Sequence, residues 1–97
     1  MIVVRDVFHI DPEQMKTAKE EMKAHGEIAK RLGYQIGRVL TDLTGEFNRV
    51  ILEFEVENIS GFEAQLNDYH TNEAFRAKMK GYTDFWISGS RELLQIA

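Results

Sequence analysis

Residues 2–10, IVVRDVFHI, are rich in β-branched side chains and stop where Asp11-Pro12 changes the pattern, which predicts a first strand. Asp11 suits an N-cap, Pro12 the first helical position, and Gln14, three residues past the cap, the far side of a capping box. Met15, Ala18, Met22, His25, Ala29 and Leu32 then recur at alternating intervals of three and four, one stripe of a helix that Gly33 ends. Residues 36–43 predict a second strand. Residues 44–47, TGEF, predict a two-residue hairpin turn with glycine at the central position that needs a positive φ.

The third strand follows the turn. Val50, Leu52, Phe54 and Val56 alternate with Arg49, Glu53 and Glu55, so one face is buried and the other carries charge. A hairpin closed at Thr44 and Phe47 sets Arg38 across from Glu53 and Asp42 across from Arg49. A one-residue slip loses both pairs, each worth about 0.2–1 kcal/mol. Asn58 or Ser60 starts the next helix, Ser60 and Glu63 matching a capping box, with Phe62, Leu66 and Tyr69 on its apolar face. Residues 69–72 break that helix. Asn72 can cap another that carries Phe75, Met79, Tyr82 and Trp86, weakened in its middle by Gly81. Ser88-Gly89-Ser90 predicts a turn, and residues 91–96 a short last strand.

Strand, helix, strand, strand, helix, strand is the order of the ferredoxin-like α+β fold, βαββαβ, a four-stranded antiparallel sheet with its helices on one face. The chain of 97 residues is read as a single domain, residues 1–97, with a thin core, since a domain this size buries somewhat under ~70% of its unfolded surface. The first strand does not settle its own facing: either Arg5 or Asp6 must point toward the helices. The charged side of the sheet interleaves Leu40, Ile51, Ile36 and Phe47 with Arg38, Asp42, Arg49, Glu53 and Glu55, too apolar for water and too charged for an ordinary core. A second sheet is its natural cover.

Composition narrows the function classes. A net charge of −4 gives no attraction to a phosphate backbone, which argues against nucleic acid. The absence of cysteine removes disulfides, thiol nucleophiles and thiolate metal sites. The apolar N-terminal run stops at Arg5, too short for a signal peptide or a membrane span, so a cytoplasmic location without membrane contact is expected.

The segments IVVRDVFHI, DPEQMKTAKEEMKAHGEIAKRLGY, GRVLTDLTGEF, ILEFEVENISGFEAQL and SGSRELLQI together resemble the NIPSNAP-like branch of the dimeric α+β barrel superfamily, over essentially the whole chain. The resemblance implies a homodimer in which two open sheets pack face to face across a two-fold axis, leaving a cavity or cleft in each protomer. It also implies that Arg49, Glu53 and Glu55 lie in or near the space between the sheets, paired with arginines such as Arg38, Arg5 or Arg91. Some relatives in that superfamily are cofactor-independent monooxygenases or haem-degrading enzymes. The haem-degrading pattern of Asn, Trp and His is not matched: Asp6 stands where the asparagine would be, Val56 replaces the tryptophan, and no histidine follows at a matching place on the second helix. No cofactor is expected.

His25 is the most suggestive candidate for catalysis, a histidine on an apolar helical stripe beside Gly26, where backbone can approach a ligand. Its structural alternative is a partly buried, hydrogen-bonded imidazole. Asp6 and Glu53 are further candidates, as general bases if apolar neighbours raise their pKa, or as structural ion-pair members if arginines face them. Arg49, Glu55, Tyr82 and Trp86 are candidates for ligand binding, the two aromatics being core in the plainer reading. No pair among His9, His25 and His70 has metal-ligand spacing, so no metal site is expected. Three functions stay open: a small-molecule-binding homodimer, a cofactor-independent monooxygenase or isomerase acting in a cavity between helices and sheet, and a structural dimeric module.

Overall fold

The computed structural model describes residues 1–34, 37–45, 47–79 and 86–97, with the side chains of Phe75, Lys78, Met79 and Trp86 outside that description. Strand β1 spans Ile2–Ile10, helix α1 Met15–Arg31, β2 Arg38–Thr41, β3 Arg49–Val56, α2 Ile59–Thr71, α3 Glu73–Met79 and β4 Trp86–Gln95. The four strands form one antiparallel sheet in the order β2-β3-β1-β4. This is the ferredoxin-like α+β arrangement. None of the described helices is long and apolar enough to cross a membrane.

Local chemistry sets most element ends. The Asp11 carboxylate accepts from the Glu13 N–H at 3.0 Å, but residues Pro12–Gln14 form a 3₁₀ turn and the Gln14 side chain makes no cap bond, so the expected capping box is not closed. At the other end of α1, Gly33 takes φ +87°. Its N–H reaches Lys30 O at 3.0 Å while that of Tyr34 reaches Ala29 O at 3.1 Å, the paired bonds that end a helix on glycine. Asn58, not Ser60, caps α2, accepting from Gly61 N–H at 2.8 Å.

Both helices pack on the same side of the sheet. Ala18 and Met22 of α1 meet Ile10 and Val50, with Phe8, Met15, Val39 and Leu52 at the margin. Phe62 and Leu66 of α2 meet Ile2, Val4, Phe54 and Val56. All the β1 and β3 residues in these clusters are even-numbered, as the period of two demands. The open question of the first strand is thereby answered: Asp6 points at the helices and is buried, while Arg5 points away. Asp6 can do so because Arg91, its ladder partner on β4, lies on the same face. Arg91 therefore does not serve the open face, where the resemblance had offered it as a partner.

On that open face the ladder Arg38, Glu53, Arg5, Glu92 crosses all four strands with alternating charge. Arg38 bonds Glu53, Arg5 Nε lies 3.0 Å from Glu53, and Arg5 Nη1 lies 3.7 Å from Glu92. The hairpin register is the expected one, with Arg38 opposite Glu53 and Leu40 opposite Ile51. The turn is wider than expected. Strand β2 ends at Thr41, Leu43 is 99% exposed and so holds no strand in place, and the Asp42 carboxylate takes both the backbone N–H and the guanidinium of Arg49. Gly45 has φ +95°, while Glu46 and Ile36 lie outside the described residues.

Two expectations for the C-terminal third are corrected. Trp86 opens strand β4 instead of ending a helix, and Ser88-Gly89-Ser90 is strand, not turn. The cause is non-local: β1 is long enough to offer backbone partners past Arg91, so Gly89 pairs with Phe8 and Ser88 with His9, and a bulge at Ile87 lets Trp86 stand opposite Ile10.

Candidate functional site

Even-numbered strand residues and the inner stripes of α1 and α2 do not close completely on each other. Between them lies a cavity of about 1080 Å³. Phe8, Met22, Val39, Leu52, Phe54 and Leu66 make its walls mainly apolar, and Asp6, Arg91, His25, Tyr69 and Arg76 bring polar groups to it. At its outer strand, Gly37 permits contact that no side chain would: a Cβ there would fall 2.1 Å from the Glu53 carbonyl oxygen.

The polar centre is the pair Asp6–Arg91. Arg91 Nε donates to Asp6 Oδ1 at 2.6 Å and Nη2 to Oδ2 at 3.1 Å, a two-bond clamp, and the guanidinium carbon sits 5.3 Å from the centre of the Phe62 ring. Bound in this way, Asp6 acts as the holder of a cation. His25 is buried on the cavity wall, its Nε2 4.0 Å from the Glu21 carboxylate one helical turn earlier.

Tyr69 belongs to a second polar cluster on α2. Gln65 donates to its hydroxyl, its ring meets Tyr34 edge-on at 5.9 Å, and burial pushes its pKa upward. The Tyr34 hydroxyl donates to Asp68, and that bond pushes the Tyr34 phenol up to about 12. This cluster ties the segment after α1 to α2 along the cavity's flank.

The residues singled out from the sequence divide among three places. His25 and Asp6 line the cavity together. Glu53 borders it on the inner strand β3, but its carboxylate is bonded to Arg38 and Arg5 on the open face. Arg49 and Glu55 lie on the open face, Arg49 clamped to Asp42 at 2.9 Å and Glu55 exposed. Tyr82 and the Trp86 side chain lie outside the described residues. Arg91, Arg76 and Tyr69 were not singled out as site residues. One signal pointed to Arg91: an acid at an even position of β1, among Ile2, Val4, Phe8 and Ile10, demands a cation from a neighbouring strand.

Glu53 behaves as an ion-pair member and not as a desolvated base. The bond from Arg38, then that from Arg5, holds its carboxyl below the usual range. A depressed folded pKa means the stabilisation is present above the unfolded value of 4.5 and is lost as the pH falls from there through the folded pKa. Glu53→Gln should therefore lower the melting temperature at pH 7 and converge with the wild-type curve as the pH falls below 4.5 through the folded pKa. A constant gap across an acid series of thermal melts would mean that the ionised carboxylate contributes nothing.

No protein-family model matches the chain, and no curated protein matches it by sequence. Solved structures do match by shape. An uncharacterised NIPSNAP domain protein from Burkholderia xenovorans superposes with a TM-score of 0.87 at 14% identity, covering 100% of this chain and 95% of that one. A NIPSNAP family protein from Agrobacterium tumefaciens gives 0.85 at 16% identity, covering 99% and 92%. An antibiotic biosynthesis monooxygenase gives 0.77 at 14% identity, covering 100% and 99%. With the sheet order and helix placement above, these matches show that the chain has the ferredoxin-like α+β fold of the NIPSNAP domain proteins, which is also that of the antibiotic biosynthesis monooxygenase.

Proposed function

We infer that this protein is a small-molecule-binding homodimer whose ligand sits in the cavity between helices and sheet. One observation carries the reading: a space of about 1080 Å³, apolar over most of its wall, holds a clamped Asp6–Arg91 pair and a buried histidine. Ligand sites of this kind combine apolar walls with a few placed polar groups. A purely structural module would fill that space with side chains. The open sheet face supports the dimer, since Leu40 and Leu94 are 36% and 40% exposed there beside a charge ladder that a second sheet would shield from water.

Native mass spectrometry of the purified protein tests both parts. The expected result is a dimer carrying a co-purified compound, and loss of that compound in Ala29→Phe, which puts a ring where α1 lines the cavity. A monomer, or a bound mass unaffected by the ring, would end this reading.

A second reading, cofactor-free oxygenation or isomerisation of the bound compound, is favoured by the place of His25 on the cavity wall and by the fold shared with an antibiotic biosynthesis monooxygenase. Under it, His25→Ala abolishes turnover of the co-purified compound and leaves the dimer intact. Unchanged turnover would remove His25 from the chemistry.

A further inference from the structure

We propose that two copies pack open face to open face about a two-fold axis that runs along the strands, between β3 and β1; this rests on the homodimer proposed for the protein. The charge ladder fixes the direction. Across the sheet, in the order β2-β3-β1-β4, it reads Arg38, Glu53, Arg5, Glu92, positive and negative by turns. A row of four alternating charges shows opposite signs when read from its other end. Turning a second copy about an axis along the strands reverses the row, so Arg38 lies over the partner's Glu92 and Arg5 over the partner's Glu53. Aligned sheets stack about 10 Å apart with strands within about 30° of each other, which lets long ionic side chains meet between them. A two-fold perpendicular to the strands stacks each strand on its own counterpart, and a row lying on that axis meets like charges, which oppose association.

A second observation selects the same axis. Among the described residues, the large hydrophobics most open to solvent are Leu43 at 99%, Phe47 at 84% and Ile87 at 74% exposed. Leu43 and Phe47 sit on the β2–β3 hairpin and Ile87 on β4, at opposite edges of the sheet. They share one end of it, since Arg49 and Ser88 both pair with His9. An axis along the strands exchanges the two edges and keeps the end, so the hairpin of each copy comes to Ile87 of the other and both lose apolar surface to water. A perpendicular axis carries them to opposite ends. The row beside the ladder, Leu40, Ile51, Val7 and Ser90, supplies an apolar centre, with Ile51 over the partner's Val7.

Arg38 and Glu92 make the test selective. They stand on opposite edge strands, three spacings of about 4.8 Å apart, so neither can compensate for the other inside one copy. Their side chains are 70% and 51% exposed, so exchanging them leaves the core alone. In sedimentation at low salt, Arg38→Glu alone and Glu92→Arg alone should each raise the dimer dissociation constant about tenfold or more, and the two mixed should form a heterodimer near wild-type affinity. Because the chain has no cysteine, Leu43→Cys and Ile87→Cys each introduce a single thiol. Mixed under oxidising conditions they should yield a disulfide-linked heterodimer, and neither should link to itself. If a charge variant fails to fold, the cysteine pair still decides. Charge variants that stay weak when mixed, or thiols that link within one cysteine variant and not between the two, overturn the axis and leave the homodimer standing. A wild-type monomer overturns the homodimer and this inference with it.

Discussion

Arg91→Ala is expected to lower the free energy of unfolding by about 3 kcal/mol at neutral pH, the cost of leaving one member of a buried pair without its counter-charge. The lower end of the usual range applies because only Asp6 is deeply buried, Arg91 being 43% exposed. Asp6 points into the helix-facing side of the sheet between Val4 and Phe8, so the loss of Arg91 leaves a buried carboxylate without the two bonds that Arg91 gives it. Replacing the pair as a unit, with Asp6→Leu and Arg91→Met, should leave stability within about 1 kcal/mol of wild type or raise it. Urea unfolding of the four proteins closes a double-mutant cycle. A double variant as unstable as Arg91→Ala would mean that the charges themselves hold the fold.

Phe62→Ala is expected to be at least as damaging, about 3–5 kcal/mol, a large share of the stability of so small a domain. Phe62 is 7% exposed and is the largest side chain that α2 contributes to the cluster of Ile2, Val4 and Val56. It also lies under the Arg91 guanidinium, so its removal loosens that side chain as well as the core. Phe62→Leu separates the two roles. Most of the buried apolar area survives, and the expected stability loss falls to about 1 kcal/mol. The ring face beneath Arg91 is gone, so the coupling between Asp6 and Arg91 in a double-mutant cycle should shrink while the fold stands. An unchanged coupling in Phe62→Leu would show that the ring only packs.

The parts of this protein legible in its sequence are those governed by near neighbours. The β-branched run of β1 and the three-and-four stripe of α1 marked their own elements, and Gly33 ended α1 as a positive-φ residue should. The hairpin register was legible too, because Arg38 with Glu53 and Asp42 with Arg49 make one pairing better than its one-residue slip. His25 stood out as a polar residue on an apolar stripe, and it does reach the cavity wall. Charges were harder to read. Arg5 and Asp6 are adjacent on a strand with apolar residues on both faces, so periodicity could not say which turns inward.

Sequence alone determined the elements up to α2, the order of strands and helices and the ferredoxin-like sheet, because hydrogen-bonding propensity, side-chain period and turn chemistry act over a few residues and can be read locally. Tertiary structure decided everything that depends on partners far apart in the chain. It turned Asp6 inward by presenting Arg91 across the ladder, extended β4 through Ser88-Gly89-Ser90 because β1 had unpaired backbone to offer, and left a cavity where two helix stripes fall short of the sheet. A buried charge is tolerable only where its counter-charge arrives, and a chain's pattern does not record which distant residue that will be.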